Sequence, residues 1–372
     1  MLDVETKKLD TEILGFIRKY GRDAIHRAHA GQAFQSLAFK IFEYQFRRNL
    51  NYQKFCQEAG AWPGALKSWK EIPAMPTTGF KELVLSTFPP RRAVKIFKTS
   101  GTTRQNHGAH FFDTLRLYDA AVIPVFKKYL IPGSVDFSFF FLMASPKEDP
   151  ASSLSYMMGV VNKRFAGGRG KYYALKGDIR GAALLKDLEA AGRKKKVMLC
   201  ATAFSLKSFL DFLKSKKASL RLKAGSRLME TGGFKGRMKE ISKDALYAEC
   251  EKRLGIKRDF CVSEYGMTEL SSQFYDTTLY DHAKGAKRKP FKAGPAWLRT
   301  MVIDPRTGRE ARRGSIGILR HFDLANRGSV MAIQTEDLGR AVGEGFELIG
   351  RLPGADLRGC SLNYEEFLAR AS

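Results

Sequence analysis

The sequence predicts an α/β fold with a doubly wound, mainly parallel sheet, on three observations. Apolar segments of strand length alternate with amphipathic segments of helix length through the middle of the chain. The 372 residues suffice for a sizeable core, and the composition, 44% hydrophobic and 27% charged, is that of a globular protein. Strands separated by helices pair in parallel, because each crossover helix returns the chain to the same edge.

In chain order, residues 1–90 read as a helical N-terminal region packed on the core. Ile13, Ile17, Phe34, Phe42 and Phe46 recur at helical spacing from about Thr6 to Leu50, and proline-containing connections follow at Trp62-Pro63 and Ile72 to Pro76. Residues 91–292 read as the α/β core. A strand at Ala93 to Phe97 opens it, and a helix ends at Leu130 before Pro132-Gly133, with Pro124 expected to kink it. Strands then fall at Val135 to Ala144, Val197 to Ala201, Arg227 to Glu230 and Arg258 to Val262. Helices run through Leu154 to Val161, Leu184 to Leu188, Leu206 to Leu213 and Ile241 to Leu254. Residues 293–352 change character, with short strands at Met301 to Ile303, Gly317 to Leu319, Val330 to Ile333 and Phe346 to Ile349 joined by glycine-rich turns. That stretch is a small β-rich subdomain, and residues 353–372 form a tail carrying Cys360.

Composition excludes several classes. The apolar run Phe137 to Ala144 is far shorter than the ~20 residues a bilayer span needs, so no transmembrane segment is expected and the aromatic strand reads as buried core. The N-terminus, Met1-Leu2-Asp3-Val4-Glu5, has no cationic-then-apolar leader pattern. Cys56, Cys200, Cys250, Cys261 and Cys360 are scattered, with no C-x-x-C pair, which fits reduced thiols in a cytoplasmic setting and argues against zinc. The net charge of +26 resides in runs such as Arg193 to Lys196, Lys214 to Lys217 and Lys284 to Lys289. None is interleaved with aromatics, so solvated basic surface comes first, an acidic partner or anionic ligand next, and specific nucleic-acid binding last.

Four segments carry chemistry. Lys98-Thr99-Ser100-Gly101-Thr102-Thr103 sets hydroxyls, a glycine and an ammonium directly after a strand. Converging N–H groups and hydroxyls there suit a phosphate chain, although ordinary turns use the same residues. Glu230-Thr231-Gly232-Gly233 permits close backbone approach to a flat ligand, or is a plain turn. Glu264-Tyr265-Gly266-Met267-Thr268-Glu269 gathers an aromatic face, a hydroxyl and a carboxylate within one short turn; a purine stacking on Tyr265, a phosphate on Thr268 and Mg²⁺ on Glu269 would use them. Thr335-Glu336-Asp337-Leu338-Gly339, followed by Gly350-Arg351, supplies an acceptor for sugar hydroxyls and a positioned cation. The last three segments are expected at strand-to-loop junctions, where doubly wound sheets bind ligands. His107, His110 and Asp113 form a loose H-x-x-H-x-x-D pattern, better read as one histidine lining a carboxylate pocket than as a metal site.

In this order and spacing, from about Lys98 to Arg351, the segments resemble the adenylate-forming superfamily of acyl-activating enzymes, with Tyr-Gly-Met-Thr-Glu the most specific block. The resemblance implies the large-domain fold of that superfamily, with ATP and Mg²⁺ as cofactors. It places Thr99, Ser100, Gly101, Thr102 and Thr103 on the ATP phosphates, Gly232, Gly233, Tyr265 and Gly266 around the adenine, Thr268 on a phosphate, Glu269 on the magnesium, and Asp337 and Arg351 on the ribose. Arg104 stands where the family loop commonly has another glycine. Only 21 residues follow Arg351, where typical members continue into a C-terminal lid domain that supplies a catalytic lysine, so a full lid is expected to be missing.

The tail from Gly350 to Leu362 resembles the short acyl-protein synthetase branch known from bacterial luminescence fatty-acid reductase complexes, related to phenylacetate-CoA ligases. That branch carries its acyl group on a cysteine near the C-terminus, and Cys360 is the matching position. The resemblance thus implies a ligase with Cys360, Thr268 and Glu269 as catalytic residues. It would activate a carboxylic acid, with a fatty acid the expected class, as an acyl-adenylate. The acyl group would then pass as a thioester toward a protein such as an acyl reductase or carrier protein. Two readings stand beside it: a truncated acyl-CoA or aryl-CoA ligase, and a non-catalytic nucleotide-binding interaction protein.

Overall fold

Apolar segments form strands and amphipathic segments form helices, in an order set by where each apolar face is buried. The computed structural model describes residues 2–21, 30–99, 107–133, 136–175, 178–232 and 242–352. The strands are β1 (Met75–Pro76), β2 (Lys95–Lys98), β3 (Ala109–Phe112), β4 (Phe137–Leu142), β5 (Lys171–Tyr172), β6 (Ala174–Leu175), β7 (Asp178–Ile179), β8 (Lys196–Thr202), β9 (Arg227–Thr231), β10 (Cys261–Tyr265), β11 (Phe274–Asp276), β12 (Lys292–Ala293), β13 (Leu298–Ile303), β14 (Ile316–Asp323), β15 (Ala332–Val342) and β16 (Gly345–Arg351). The chain divides into two units. The first is built from Met1–Ala121, Met267–Gln273 and Ala293–Ser372, the second from Val122–Gly266 and Phe274–Lys292.

The second unit is the wound sheet. Its strands lie in the order β11-β10-β9-β8-β4-β5. All neighbours from β10 to β5 pair in parallel, and β11 is antiparallel to β10. On one face Phe140, Leu142, Val197, Leu199, Leu228 and Cys261 meet Leu184, Leu206, Phe209, Leu246 and Cys250 from three crossover helices, Gly181–Gly192, Ala203–Ser215 and Lys243–Leu254. The other face carries Phe137, Phe139 and Phe141, also buried, so β4 is apolar on both sides, as expected of an interior parallel strand. Helix starts follow their caps: Thr202 and Ser205 form a reciprocal capping box, and the Ser242 side chain accepts from Ala245 N–H. Each such cap contributes about 1 kcal/mol.

The first unit holds the antiparallel ladder β13-β14-β15-β16, with β1 added in parallel on β15. Helices Val4–Tyr20, Gly31–Arg48 and Leu50–Glu58 make its N-terminal part. A buried ion triad ties distant segments of this unit together. Arg327, 1% exposed, donates from Nε at 2.9 Å to Asp10 and from Nη1 at 2.8 Å to Asp113.

Several boundaries differ from the sequence reading. Within the helical region read from about Thr6 to Leu50 lie helices Val4–Tyr20 and Gly31–Arg48, while residues 22–29 lie outside the described residues. The helix Arg116–Leu130, with Pro124 inside it, ends where the sequence reading put its end. Arg258–Phe260 is a turn of 3₁₀ helix and the strand follows it, so Glu264 and Tyr265 close β10 rather than sit in a turn. Thr335 to Gly339 lies inside β15, and not at a junction. β2 is the strand read at Ala93 to Phe97, whereas its hairpin partner β3 and the strand β11 have no counterpart in the sequence reading.

Candidate active site

The loop of hydroxyls belongs to the β2–β3 hairpin, which sets its entry and exit together. Phe97 pairs with His110 and Lys98 with Ala109. Thr99 N–H donates to Gly108 O at 2.9 Å, and Thr99 Oγ1 accepts from Gly108 N–H at 2.8 Å, closing the neck of the loop. At Gly108 an added Cβ would lie 3.0 Å from Thr99 Cγ2 and 3.1 Å from Phe80 O, so a side chain there would push the neck apart. Ser100, Gly101, Thr102, Thr103 and Arg104 lie outside the described residues, as do Gly233 and Cys360.

In the first unit the structure gathers the remaining acidic and cationic site residues. Asp337 on β15 pairs directly with Arg351 on β16, so the two residues assigned to the ribose face each other across one rung. Arg351 Nη2 also donates to Glu336 Oε2 at 2.8 Å. Thr335, fully buried, donates to Leu319 O at 2.7 Å and accepts from Asp337 N–H at 3.1 Å, fixing the backbone under Asp337. Glu269 is 7% exposed. Burial pushes its carboxyl up to about 7; the charges of Lys81 and Arg351 act against that shift and Asp337 with it. Glu269, Asp337 and Arg351 are therefore within electrostatic reach of one another, joined by Lys81, which the sequence reading missed.

The segment bearing Thr268 and Glu269 is held by its backbone. Thr268 O accepts from His110 Nδ1 at 2.8 Å, and Glu269 O accepts from Asn326 Nδ2 at 2.8 Å. Asp323 accepts from Ser271 N–H at 2.9 Å and from Ser272 Oγ at 2.8 Å. Since a carbonyl only accepts, His110 carries its proton on Nδ1 and leaves Nε2 as a buried acceptor without a partner among the described residues. Burial lowers the His110 pKa to about 4, so the ring is neutral near neutral pH. His107 instead meets Thr99 O at 2.8 Å, and Asp113 belongs to the Arg327 triad, so the H-x-x-H-x-x-D pattern goes to three separate places. Among the described residues, no group of three or more His, Cys, Asp or Glu is arranged to hold a metal ion.

In the second unit, the carboxyl ends of β9 and β10 carry the other set. Gly232 has φ +75°, a left-handed conformation, with open space where a Cβ would be. Tyr265, 8% exposed, is paired in register with Phe274, their rings 5.9 Å apart. Beside it Glu264 accepts from Thr231 Oγ1, its register partner on β9. Burial pushes Glu264 up to about 7, and the nearby charges of Lys292 and Lys243 restrain the shift. Lys292, 4% exposed, donates to Ser263 O at 2.7 Å and pairs with Asp276 at 3.2 Å. Gly266 follows the strand as the chain leaves it.

The fold built around these residues is one already seen in a ligase. Solved structures of 2-hydroxyisobutyryl-CoA ligase superpose on 88% of this chain. In the postadenylation state with 2-HIB-AMP the TM-score is 0.65 at 16% identity, covering 70% of the ligase chain. In an open conformation with 2-HIB-AMP and CoA it is 0.64 at 16% identity, covering 77%. In the thioesterification state it is 0.64 at 17% identity, covering 70%. The chain thus has the fold of an adenylate-forming ligase. No protein-family model matches it, and no curated protein matches it in sequence.

Proposed function

We propose that the chain is an ATP-dependent ligase that activates a carboxylic acid, a fatty acid being the expected class, as its acyl-adenylate and then captures the acyl group on Cys360. The observation that carries the first half is the electrostatic grouping of Glu269, Asp337, Arg351 and Lys81 within a ligase fold. In the first step a carboxylate oxygen of the acid attacks the α-phosphorus of ATP and pyrophosphate leaves. Asp337 accepts from the ribose hydroxyls and Arg351 steadies that acceptor. Thr99 to Thr103 and Thr268 donate to phosphate oxygens, and Gly232, Gly233, Tyr265 and Gly266 bound the adenine. Mg²⁺ fits the donor set, since a single hard carboxylate, Glu269, together with nucleotide phosphates is its usual company. When bound it supplies charge neutralisation on the phosphates.

In the second step a thiolate attacks the acyl carbon and AMP leaves, forming a thioester. The other four cysteines support Cys360 as the acceptor. Cys56, Cys200, Cys250 and Cys261 are all buried. Burial pushes the Cys56 thiol up to about 12 and that of Cys200 upward as well, and the neighbouring Cys261 together with burial raises Cys250, which suppresses thiolate. The acyl-accepting protein downstream belongs to the same proposal. The test is radiolabelled acid with ATP, with and without CoA, followed by a denaturing gel. Label on the protein that disappears in Cys360→Ser is the expected result; label that survives this substitution, or that forms only on CoA, contradicts it.

A further inference from the structure

The amino-terminal edge of the parallel sheet in the second unit gathers several exposed basic residues, and nothing in the proposed chemistry uses them. The ligand-facing residues of that unit, Gly232 and Tyr265, lie at the carboxyl ends of β9 and β10. The basic runs lie at the other end of the same strands, in the turns that lead from helix to strand. Arg193 to Lys195 precede β8, Lys216 to Lys223 precede β9, and Lys257 precedes β10.

Backbone hydrogen bonds join these three turns into one surface. Lys223 N–H donates to Gly192 O at 3.1 Å, Leu220 N–H to Arg253 O at 2.6 Å and Leu222 N–H to Leu254 O at 3.2 Å. The edge is also level. Lys196 pairs with Phe137, Arg227 with Met198 and Cys261 with Leu228, so four neighbouring strands begin within three residues, roughly 10 Å, of one another.

Two observations separate this edge from ordinary solvated charge. Lys194, Lys216, Lys217 and Lys223 are exposed and have no acidic partner among the described residues. Of the acids at the helix ends and turns of this edge, Asp136 is taken by Lys195 at 2.7 Å and Glu249 by Arg253, Asp259 lies 3.4 Å from His282, and Glu189 and Glu251 remain, against a larger number of lysines and arginines. Secondly, Lys217 is the only non-glycine residue with positive φ, +51°, among the described residues. It ends helix Ala203–Ser215 at the position where glycine is the usual choice, its N–H donating to Lys214 O at 3.0 Å and the next to Leu213 O at 2.9 Å. A lysine there accepts strain that glycine would avoid, which points to use of its charge.

We propose that this edge docks the protein on an anionic lipid surface. The partner follows from the chemistry of the patch. Protein interfaces are poor in lysine and rich in aromatic anchors, whereas among the described residues the exposed large apolar side chains, from Val4 to Ile349, all lie in the first unit. Groove readers of nucleic acid project a helix or ribbon, and these turns end level. A flat array of lysines without aromatics matches a plane of phosphate and carboxylate headgroups, on which each lysine strengthens attachment roughly fivefold. Docked this way, the carboxyl ends of β9 and β10 face away from the lipid.

The test sediments the full-length protein with phosphatidylcholine vesicles, with and without phosphatidylserine, and in parallel measures binding to duplex DNA at matched phosphate concentration. It needs neither ATP nor an acid, so it stands apart from the ligase reading. Binding is expected only with phosphatidylserine, weakening with salt. It should fall roughly a hundredfold or more in Lys216→Glu/Lys217→Glu/Lys223→Glu and roughly fivefold in Lys217→Gly, whose backbone is relaxed and whose folding is undisturbed. Equal binding to neutral vesicles, no binding to either, preference for the duplex, or unchanged binding in both variants would overturn the proposal.

Discussion

Glu264 and Glu269 stand five residues apart, both are buried, and both carboxyls are pushed up to about 7 by loss of water. Their surroundings differ. Glu264, in the second unit, has a direct donor in Thr231 and the near charges of Lys292 and Lys243. Glu269, in the first unit, is answered by its own backbone and by the more distant charges of Lys81 and Arg351, while its carbonyl is tied to Asn326. The contrast teaches that a raised carboxyl is not by itself a functional sign. Glu264 is locked into a network that completes the sheet, whereas Glu269 is held by its backbone with its carboxyl left to respond to an added charge.

Substitutions should separate the two. The largest expected effect is Lys292→Met, which leaves the half-buried Asp276 and the buried Glu264 without this cation. Stability should drop by about 3–5 kcal/mol in denaturant titration, and a loss below about 1 kcal/mol would show that the network is not structural. Next is Glu269→Gln, which keeps the shape and removes the charge. Acid-dependent adenylation should fall roughly a hundredfold while the melting temperature holds. In the parent protein the rate should rise with pH through about 7 as this carboxyl ionises, and added Mg²⁺ should move that rise to lower pH.

Asn326→Ala releases the carbonyls of Glu269 and Val330 together. A cost of about 1–3 kcal/mol in stability is expected, with a fall in adenylation beyond what unfolding explains. The smallest effect belongs to Glu264→Gln. Its folded pKa of about 7 lies above the ordinary 4.5, so between those values the unfolded chain releases a proton that the folded chain keeps. This carboxyl's contribution is therefore full below pH 4.5 and lost as pH rises through about 7. The glutamine variant should flatten that decline, with a net change near neutral pH of only roughly 1 kcal/mol because Lys292 loses its counter-charge. A decline as steep as the parent's would place the titration elsewhere.

Legibility in the sequence followed the physics of each segment. The strands β4, β8 and β9 and their crossover helices were readable, since continuous Phe, Val and Leu runs flanked by Ser or Thr caps leave few alternatives. The segment Thr335 to Gly339 was misplaced at a strand-to-loop junction because the polar run Gln334 to Asp337 interrupts the apolar pattern; the structure buries Thr335 and Glu336 within β15. Lys292 lies just beyond the basic run Lys284 to Lys289, and nothing in the sequence sets it apart, although it is among the most buried cations. The Arg327 triad spans separations of 214 and 317 residues, which no local signal marks. Asp337 and Arg351 were legible as types, but only the β15–β16 register reveals that they face each other.

The central claim, that the acidic and cationic residues around Glu269 and Asp337 activate a carboxylic acid with ATP, is tested most directly by acid-dependent exchange of pyrophosphate into ATP. Exchange in the parent protein, undiminished in Cys360→Ser and reduced roughly a hundredfold in Asp337→Ala, is the predicted result. Absence of exchange across short, medium and long-chain acids, or an equal loss in both variants, would contradict it.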